Sequence, residues 1–374
     1  MANTQFTAQD GLTGGRRRGS GMLQNPRIRW GLIALVVVLL LVLPLLLPQF
    51  ANQTLIRIGV YAVAVLGLNI VMGYAGQVHL GQIFFLGLGA YVTAYGVVHD
   101  WNIILVFIAA IVIPGVVGLL IALAAARLGG LAIAMVTIAL PIVGVPLAKR
   151  FSDITGGSQG LSARFSDAPD WSGLYDDQWQ FYLVLVICGL SYIVGRNFVT
   201  GKYGRALAIV RENEAVASSM GVSPYRYKVL AFTVASLFGG VSGFLYMVAV
   251  QYTSPETLGF GQSISLLAAM VIGGAGSIAG SLIGGAYYVL VPQVANAIDP
   301  NLTTISQGVI LLLVLFVLPG GLVSLIREIR RRVRRSGDGS PRTAVQNVHT
   351  ASAQSSHEDS SSEEHGKTER QGQA

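Results

Sequence analysis

The sequence predicts an all-α polytopic membrane protein with about ten transmembrane helices, some of them broken or re-entrant. Only 11% of its 374 residues are charged and 52% are hydrophobic, whereas about 25% of an ordinary soluble domain is charged. Several apolar runs, such as 30–50, 101–126 and 306–326, are nearly free of charge and approach the roughly 20 residues of a spanning helix. Continuous runs indicate helices, because a spanning β-barrel shows short segments of alternating polarity.

Arginine clusters at the two boundaries of the apolar region predict its orientation. Five arginines lie between residues 16 and 29, before the first run, and six lie between 327 and 335, after the last. Under the positive-inside rule both termini are cytoplasmic, which requires an even number of crossings. We therefore expect a multi-pass protein of the cell inner (plasma) membrane, with lipid and not nucleic acid as the partner of its basic residues.

The pattern divides the chain into two tails and one membrane domain. Residues 1–29 predict a disordered basic tail, 30–326 the transmembrane domain, and 327–374 a basic and then polar, disordered tail. The predicted crossings are 30–50, 55–72, 82–98, 102–126, 131–149, 181–196, 229–250, 263–273, 277–297 and 305–326. The eighth is too short to span alone, so it is expected to be half of a broken or re-entrant helix.

Two connections are long enough to have a function of their own. The outer one, about 150–180, combines acidic and aromatic residues, which is typical either of an external docking surface or of a loop anchored at headgroup level. The inner one, about 197–228, is basic and rich in helix-forming residues between 204 and 220. Gly221 supplies a stop. We predict one amphipathic cytoplasmic helix there, which a partner subunit could grip.

A polar, glycine-rich interruption separates the second and third predicted spans. Its glycines and hydrogen-bonding residues are Gly73, Gly76, Gly81, Gln77, His79 and Gln82. Uncharged polar groups at a helix break can bind a solute whose own polar groups lose water. The alternative interpretation is a tight cytoplasmic turn in which small residues pack and His79 is merely solvated.

A weaker echo of this interruption lies in the second half, at Gly273, Gly274 and Gly276. Paired breaks in two halves indicate a central site, although close helix packing also favours small residues. Polar residues at the outer end of the fifth span could line the external mouth. The predicted solute pathway therefore also includes Thr155, Ser158, Gln159 and Ser263.

The residue pattern argues against an enzyme, a cofactor and a metal site. The sequence contains neither a P-loop ending nor a clustered set of metal ligands. The spans carry almost no charge, which argues against a proton relay. Arg57, near the start of the second span, is expected to snorkel towards the interface.

An ordered set of landmarks runs from about residue 55 to 325. The landmarks are GYAGQVHLGQIFFLGLGAYVTA at 73–94, AIAMVTIAL at 132–140, TGGSQGL at 155–161, GRALAIVRENEAVASSMGVSPYRYKVLAF at 204–232, GGAGSIAG at 273–280 and LFVLPGGL at 315–322. Together they resemble the permease family of branched-chain amino acid ABC transporters, of the subunit type whose close relatives import urea and short amides. The resemblance implies a permease domain, with urea or a short amide as the alternative cargo and a gradient-driven secondary transporter as the alternative class.

The resemblance also implies a coupling motif and partners. In that family a Glu-Ala-Ala with a later Gly docks into the ATPase subunit, and the corresponding residues here are Arg211, Glu214, Ala215, Ala217 and Gly221. Val216 replaces one alanine of the motif. The implied complex contains a second, related permease, two cytoplasmic ATPase subunits and an extracytoplasmic solute-binding protein.

Overall fold

The structure, a computed structural model, describes residues 38–127, 130–298 and 308–309. The predicted crossing at 305–326 and both predicted tails lie outside this part, apart from 308–309. Helical residues 38–46 form α1, and the later elements are α2 (Gln49–Asn69) with a π turn (Ile70–Tyr74), α3 (Gln82–Val98), α4 (Ile103–Ala125), α5 (Gly130–Arg150), α6 (Ser152–Thr155), a 3-10 turn (Gly157–Gln159), β1 (Leu161–Ser162), α7 (Asp176–Thr200), α8 (Lys202–Glu212), α9 (Glu214–Ser219), α10 (Pro224–Val250), β2 (Tyr252–Thr253), a 3-10 turn (Pro255–Leu258), α11 (Phe260–Gly273) and α12 (Ile278–Ile298).

The helical membrane class is confirmed, but the described residues do not support a count of about ten spans. Six helices are long and apolar enough to cross a membrane: α2 with its π turn, α4, α5, α7, α10 and α12. The apolar helices α3 and α11 have 17 and 14 residues. At about 1.5 Å per residue they reach roughly 26 and 21 Å, less than the ~30 Å hydrocarbon core.

Helices α2 and α10 form the centre of the domain. In the most apolar stretch of each, 67% of positions are buried, against 17% in α7. Helix α10 packs on α2, α3 and α4, while α2 also packs on α7 and α12. Peripheral helices turn apolar residues outward, such as Ile104 and Leu120 of α4. This distribution is expected where lipid, not water, surrounds the domain.

Glycines bring the central helices into backbone contact. A Cβ on Gly89 of α3 would lie 2.7 Å from the carbonyl oxygen of Gly240 in α10, and a Cβ on Gly240 would lie 2.2 Å from the carbonyl oxygen of Ala110 in α4. Small residues permit this approach, which drives helix association in lipid through van der Waals contact. The position of α10 between α3 and α4 therefore depends on Gly240.

The connections gather at two opposite ends of the domain. At one, which we call the strand end, β1 and β2 pair antiparallel with Leu161 opposite Thr253, and Lys149 Nζ lies 3.2 Å from Glu256 Oε1. The other, which we call the α9 end, carries α8, α9 and the break after α2. Apart from the two-residue strands, the regular structure of the described chain is helical.

We expect the substitution Gly240→Val to destabilise the domain by about 1–3 kcal/mol or more, because the new methyl groups meet backbone that cannot move aside. The measurement is the melting temperature of the purified protein in detergent. Gly189→Val is the matched control, since nothing lies within 4 Å of a Cβ at Gly189. Equal melting temperatures for the two variants would contradict the packing role of Gly240.

Candidate functional site

The side chain of Asn69, at the end of α2, joins the two glycine-rich breaks. Its Oδ1 accepts a hydrogen bond of 2.7 Å from the backbone N–H of Gly276. Its Nδ2 donates to the carbonyl oxygen of Ser277, at 2.8 Å, and to Oγ of Ser281, at 3.2 Å. The side chain is almost completely buried. The two glycine-rich breaks, which resemble each other in sequence, are therefore in direct contact in the structure.

Gly73 permits that contact. A Cβ on Gly73 would lie 1.9 Å from Oδ1 of Asn69 and 2.4 Å from the backbone nitrogen of Gly276. Other predicted break glycines lie at helix boundaries: Gly81 precedes α3, Gly273 ends α11 and Gly274 follows it. The breaks therefore serve close backbone approach as well as a change of chain direction.

Arg211 connects the inner helical segment to this junction. Its Nη1 donates a hydrogen bond to the carbonyl oxygen of Gly73, and a Cβ on Gly76 would lie 2.7 Å from its Cγ. This bond ties α8 to the end of α2. The predicted role of Arg211 in coupling to an ATPase stays a prediction.

The inner segment is two helices rather than the single helix expected. Asn213 is extended, and its Oδ1 accepts hydrogen bonds from the backbone N–H groups of Ala215 and Val216, at 2.9 and 3.2 Å. An asparagine in this role caps a new helix. The chain therefore turns between α8 and α9, because the cap competes with continuation of α8.

Helix α9 exposes two apolar side chains and forms an ion pair with α10 at its first residue. Val216 and Met220 are 48% and 67% exposed, whereas Ala217 is fully buried. Oε1 of Glu214 lies 2.5 Å from Nζ of Lys228, whose side chain is largely buried. Of the predicted coupling residues, Ala215 is exposed and Gly221 is exposed with φ +78°. The large apolar side chains that α9 offers to a partner are thus Val216 and Met220, which we call the α9 pair.

The polar side chains of the first break are buried in helix packing. Nε2 of Gln82 donates to the carbonyl oxygen of Ala235, at 3.0 Å. The ring of His79 lies against the rings of Phe85 and Phe232, with centroids 6.1 and 4.7 Å away. Neither ring nitrogen of His79 has a well-aligned hydrogen-bond partner among the described residues, although the Gln82 side chain is near enough to interact. Gln77 is likewise buried.

The remaining predicted pathway residues are dispersed around the strand end. The hydroxyl of Thr155 donates to the carbonyl oxygens of Ala148 and Phe151, so it holds the end of α5. Ser158 and Gln159 are exposed, and Ser263 is buried in α11. The structure does not bring these four side chains together with Gln77, His79 and Gln82.

A polar cavity of about 740 Å³ occupies the strand-end half of the domain. Helices α2, α10, α11 and α12 and the turn Pro255–Leu258 form its walls. The polar side chains that line it are Arg57, Tyr61, Tyr246, Glu256, Gln262, Ser265, Tyr288, Gln293 and Asn296. A recess of about 190 Å³ shares five of the lining residues and ends on Ile83 and Leu86. No residue of the predicted solute pathway lines either space.

Sequence reasoning missed this cavity, although one signal was present. Arg57 is a cation within an apolar run, and it was interpreted as snorkelling to the interface. Intramembrane ionisable residues more often mark a functional site. In the structure Arg57 lines the cavity, and the tyrosines that accompany it come from three different helices.

The comparison with known proteins identifies the family. Residues 50–318 match the model of the branched-chain amino acid transport system / permease component family. The chain belongs to that family. The matched range includes the junction at Asn69, helices α8 and α9, and the cavity.

Individual members of the permease family are similar over most of the chain. The high-affinity branched-chain amino acid transport system permease protein LivM of Escherichia coli K12 is 28% identical, covering 78% of this chain and 75% of its own length. The LivH permease protein of the same organism is 22% identical, over 70% and 91%. A probable LivM of Methanocaldococcus jannaschii is 24% identical, over 73% and 92%. No solved structure matches this chain.

We expect Asn69→Leu to reduce transport strongly, because it leaves the N–H of Gly276 and the carbonyl of Ser277 buried without their partner. An orphaned buried group costs about 1–3 kcal/mol. Uptake by cells and the melting temperature in detergent are the measurements. Asn197→Leu, at an exposed asparagine of α7, is the control and should behave as wild type. Normal uptake by Asn69→Leu would contradict the role of the junction.

Proposed function

We propose that this chain is the permease subunit of an ATP-binding-cassette importer and forms the translocation pathway for branched-chain amino acids. The family match over residues 50–318 carries the proposal, and the polar cavity supplies a space for the solute. Such a subunit is not an enzyme. ATP is hydrolysed by the partner subunits, so the conformational change that ATP causes in them must be transmitted to the membrane helices.

The proposed complex has a second, related permease as its other membrane subunit. The chain is similar both to LivM and to LivH proteins, which is what two related subunits of one transporter would show. Two cytoplasmic ATPases and an extracytoplasmic solute-binding protein complete the complex. We place it in the cell inner membrane, with about ten crossings and both termini cytoplasmic.

The hydrogen-bond geometry supports a mechanical route from the ATPase to the cavity. An ATPase that binds the α9 pair and moves would displace α9. Because only the short turn at Asn213 separates the two helices, α8 would be displaced as well. Arg211 passes that displacement to Gly73, and Asn69 passes it to Gly276. Helices α2 and α12, which begin or end at this junction, both line the cavity at the opposite end.

The charge pattern supports the orientation of this route. The α9 end carries the basic residues Lys202, Arg205, Arg211, Arg226 and Lys228, which favours the cytoplasmic side. The acidic connection 151–175 is bonded to β2 at the strand end. In this proposal the solute enters at the strand end, and the ATPase acts on the α9 end.

Uptake of labelled L-leucine and of labelled urea by cells that express the complete importer tests the cargo. We expect ATP-dependent leucine uptake and none of urea. Urea uptake without leucine uptake would favour the urea or amide importer. Leucine uptake that persists without ATPase subunits and follows an ion gradient would favour a secondary transporter.

For the α9 pair we expect Met220→Glu, and more strongly the double change Val216→Glu with Met220→Glu, to lower ATPase co-purification and leucine uptake at least about tenfold. A charge in a desolvated apolar contact costs more than the ~1.4 kcal/mol of a tenfold change. Membrane insertion should be unaffected, because both side chains are exposed.

The control for this change is Trp171→Glu at the strand end, where the tryptophan is 82% exposed. It introduces the same charge at a distant apolar surface, so ATPase co-purification should remain normal. Wild-type co-purification of the ATPase with the α9 double variant would show that the α9 pair is not the docking surface. Ala217→Glu is unsuitable here, since Ala217 is buried and a charge would disrupt α9 itself.

A further inference from the structure

Two opposite charges face the polar cavity at the strand end. Arg57 projects from α2, and Glu256 lies in the turn before α11. Glu256 pairs with Lys149 at 3.2 Å, whereas no carboxylate of the described residues lies within ion-pair distance of Arg57. Arg57 is an exposed residue that lines the cavity, so its guanidinium is open to a ligand, and a charged residue within an apolar span typically marks a substrate pathway.

The carboxylate of Glu256 remains ionised at neutral pH. Hydrogen bonds from its own backbone, from Lys149 and from Ser254 lower the pKa of Glu256. The cavity wall thus offers one fixed positive and one fixed negative charge. A ligand carboxylate supplies the counter-ion that Arg57 lacks, and a ligand ammonium can share the carboxylate of Glu256 with Lys149. An uncharged amide offers neither charge.

Tyrosines surround the space between the two charges. The rings of Tyr61 and Tyr288 lie 4.0 Å apart, and the hydroxyl of Tyr288 donates to Oε1 of Gln262. The adjoining recess ends on the apolar side chains of Ile83 and Leu86. The combined space suits a small solute, because small-molecule pockets are about 300–1,000 Å³.

We propose that this cavity is a binding site for a zwitterionic amino acid, in which Arg57 holds the α-carboxylate, Glu256 holds the α-ammonium, and the recess on Ile83 and Leu86 receives the apolar side chain. The site rests on the proposed function and adds to it a binding position within the permease. It also separates amino acids from urea, since urea has no charges for Arg57 and Glu256 to pair with.

Cysteine labelling in the complete importer, held in lipid nanodiscs, tests the site directly. Ser265→Cys places a thiol in the cavity wall, and the native chain is the blank because its single cysteine, Cys188, is buried. We expect millimolar L-leucine to slow the reaction with a water-soluble maleimide. Leucinamide lacks the carboxylate and 4-methylpentanoate lacks the ammonium, so each should protect at least about tenfold less well.

The charge variants test which charged group of the ligand each residue binds. In the Ser265→Cys background, Arg57→Gln should abolish the preference for leucine over leucinamide, and Glu256→Gln the preference over 4-methylpentanoate. Arg57→Lys should retain part of the protection. Arg150→Gln removes a cation at the same end without touching the cavity and should change nothing. The melting temperature of each variant shows whether it is folded.

Equal protection by leucine and both analogues in the Ser265→Cys importer would overturn the site, and this result needs no charge variant to fold. Unchanged leucine protection in folded Arg57→Gln would overturn the role of Arg57. If the wild-type importer takes up leucine while leucine leaves labelling unaffected, the site fails and the proposed function stands. If it takes up urea and not leucine, the proposed function fails.

Discussion

The side chain of Asn69 holds together two interrupted helical segments, and the rest of the membrane domain depends on it. Lipid offers no hydrogen bonds, so every backbone group freed by a helix break must find a partner in the protein. One amide side chain provides an acceptor for Gly276 and donors for Ser277 and Ser281. Two breaks that would each be costly alone are stabilised by facing each other, and Arg211 satisfies a further carbonyl at Gly73.

Helix α2 extends this junction to the cavity. Asn69 and Arg57 lie twelve residues apart on α2, which corresponds to about 18 Å along a helix. Helix α2 packs on α7, α10, α11 and α12, so a displacement of α2 acts on each of these helices. Physical coupling needs a contiguous network with discrete arrangements. The contacts from α9 through Arg211 and Asn69 to α2 are contiguous, which is the connection that the proposed coupling needs.

The sequence predicted what depends on local pattern. Apolar runs located the described spans, and the echo at Gly273, Gly274 and Gly276 indicated paired breaks. The partners of Asn69 could not be predicted, because they lie more than 200 residues away in the chain. The turn at Asn213 was visible in principle, since asparagine before Glu-Ala is a helix-start signal, but the helix-forming residues on both sides favoured one continuous helix.

The residues predicted to line the solute pathway do not line the cavity, and this difference has a physical reason. Polar residues beside glycines have two possible partners, a solute or the backbone that the glycines free. Gln82 is bonded to the backbone of Ala235, and His79 packs between aromatic rings. Sequence pattern alone does not distinguish these outcomes. A cation within an apolar run, such as Arg57, is the stronger signal of a functional site.

The same contacts explain why the cavity stops where it does. The cavity lies in the strand-end half, and its recess ends on Ile83 and Leu86. The Asn69 junction and the packed segment around His79 lie between this recess and the α9 end. Under the proposed function, passage of a solute to that end requires the junction to separate. A net hydrogen bond contributes about 0.5–1.5 kcal/mol, so the bonds of Asn69 and Arg211 favour the closed junction over a separated one by a few kcal/mol. Under the proposed function, a separated junction is therefore a minor state at equilibrium, and an ATPase that holds α9 displaced would raise its population through Arg211.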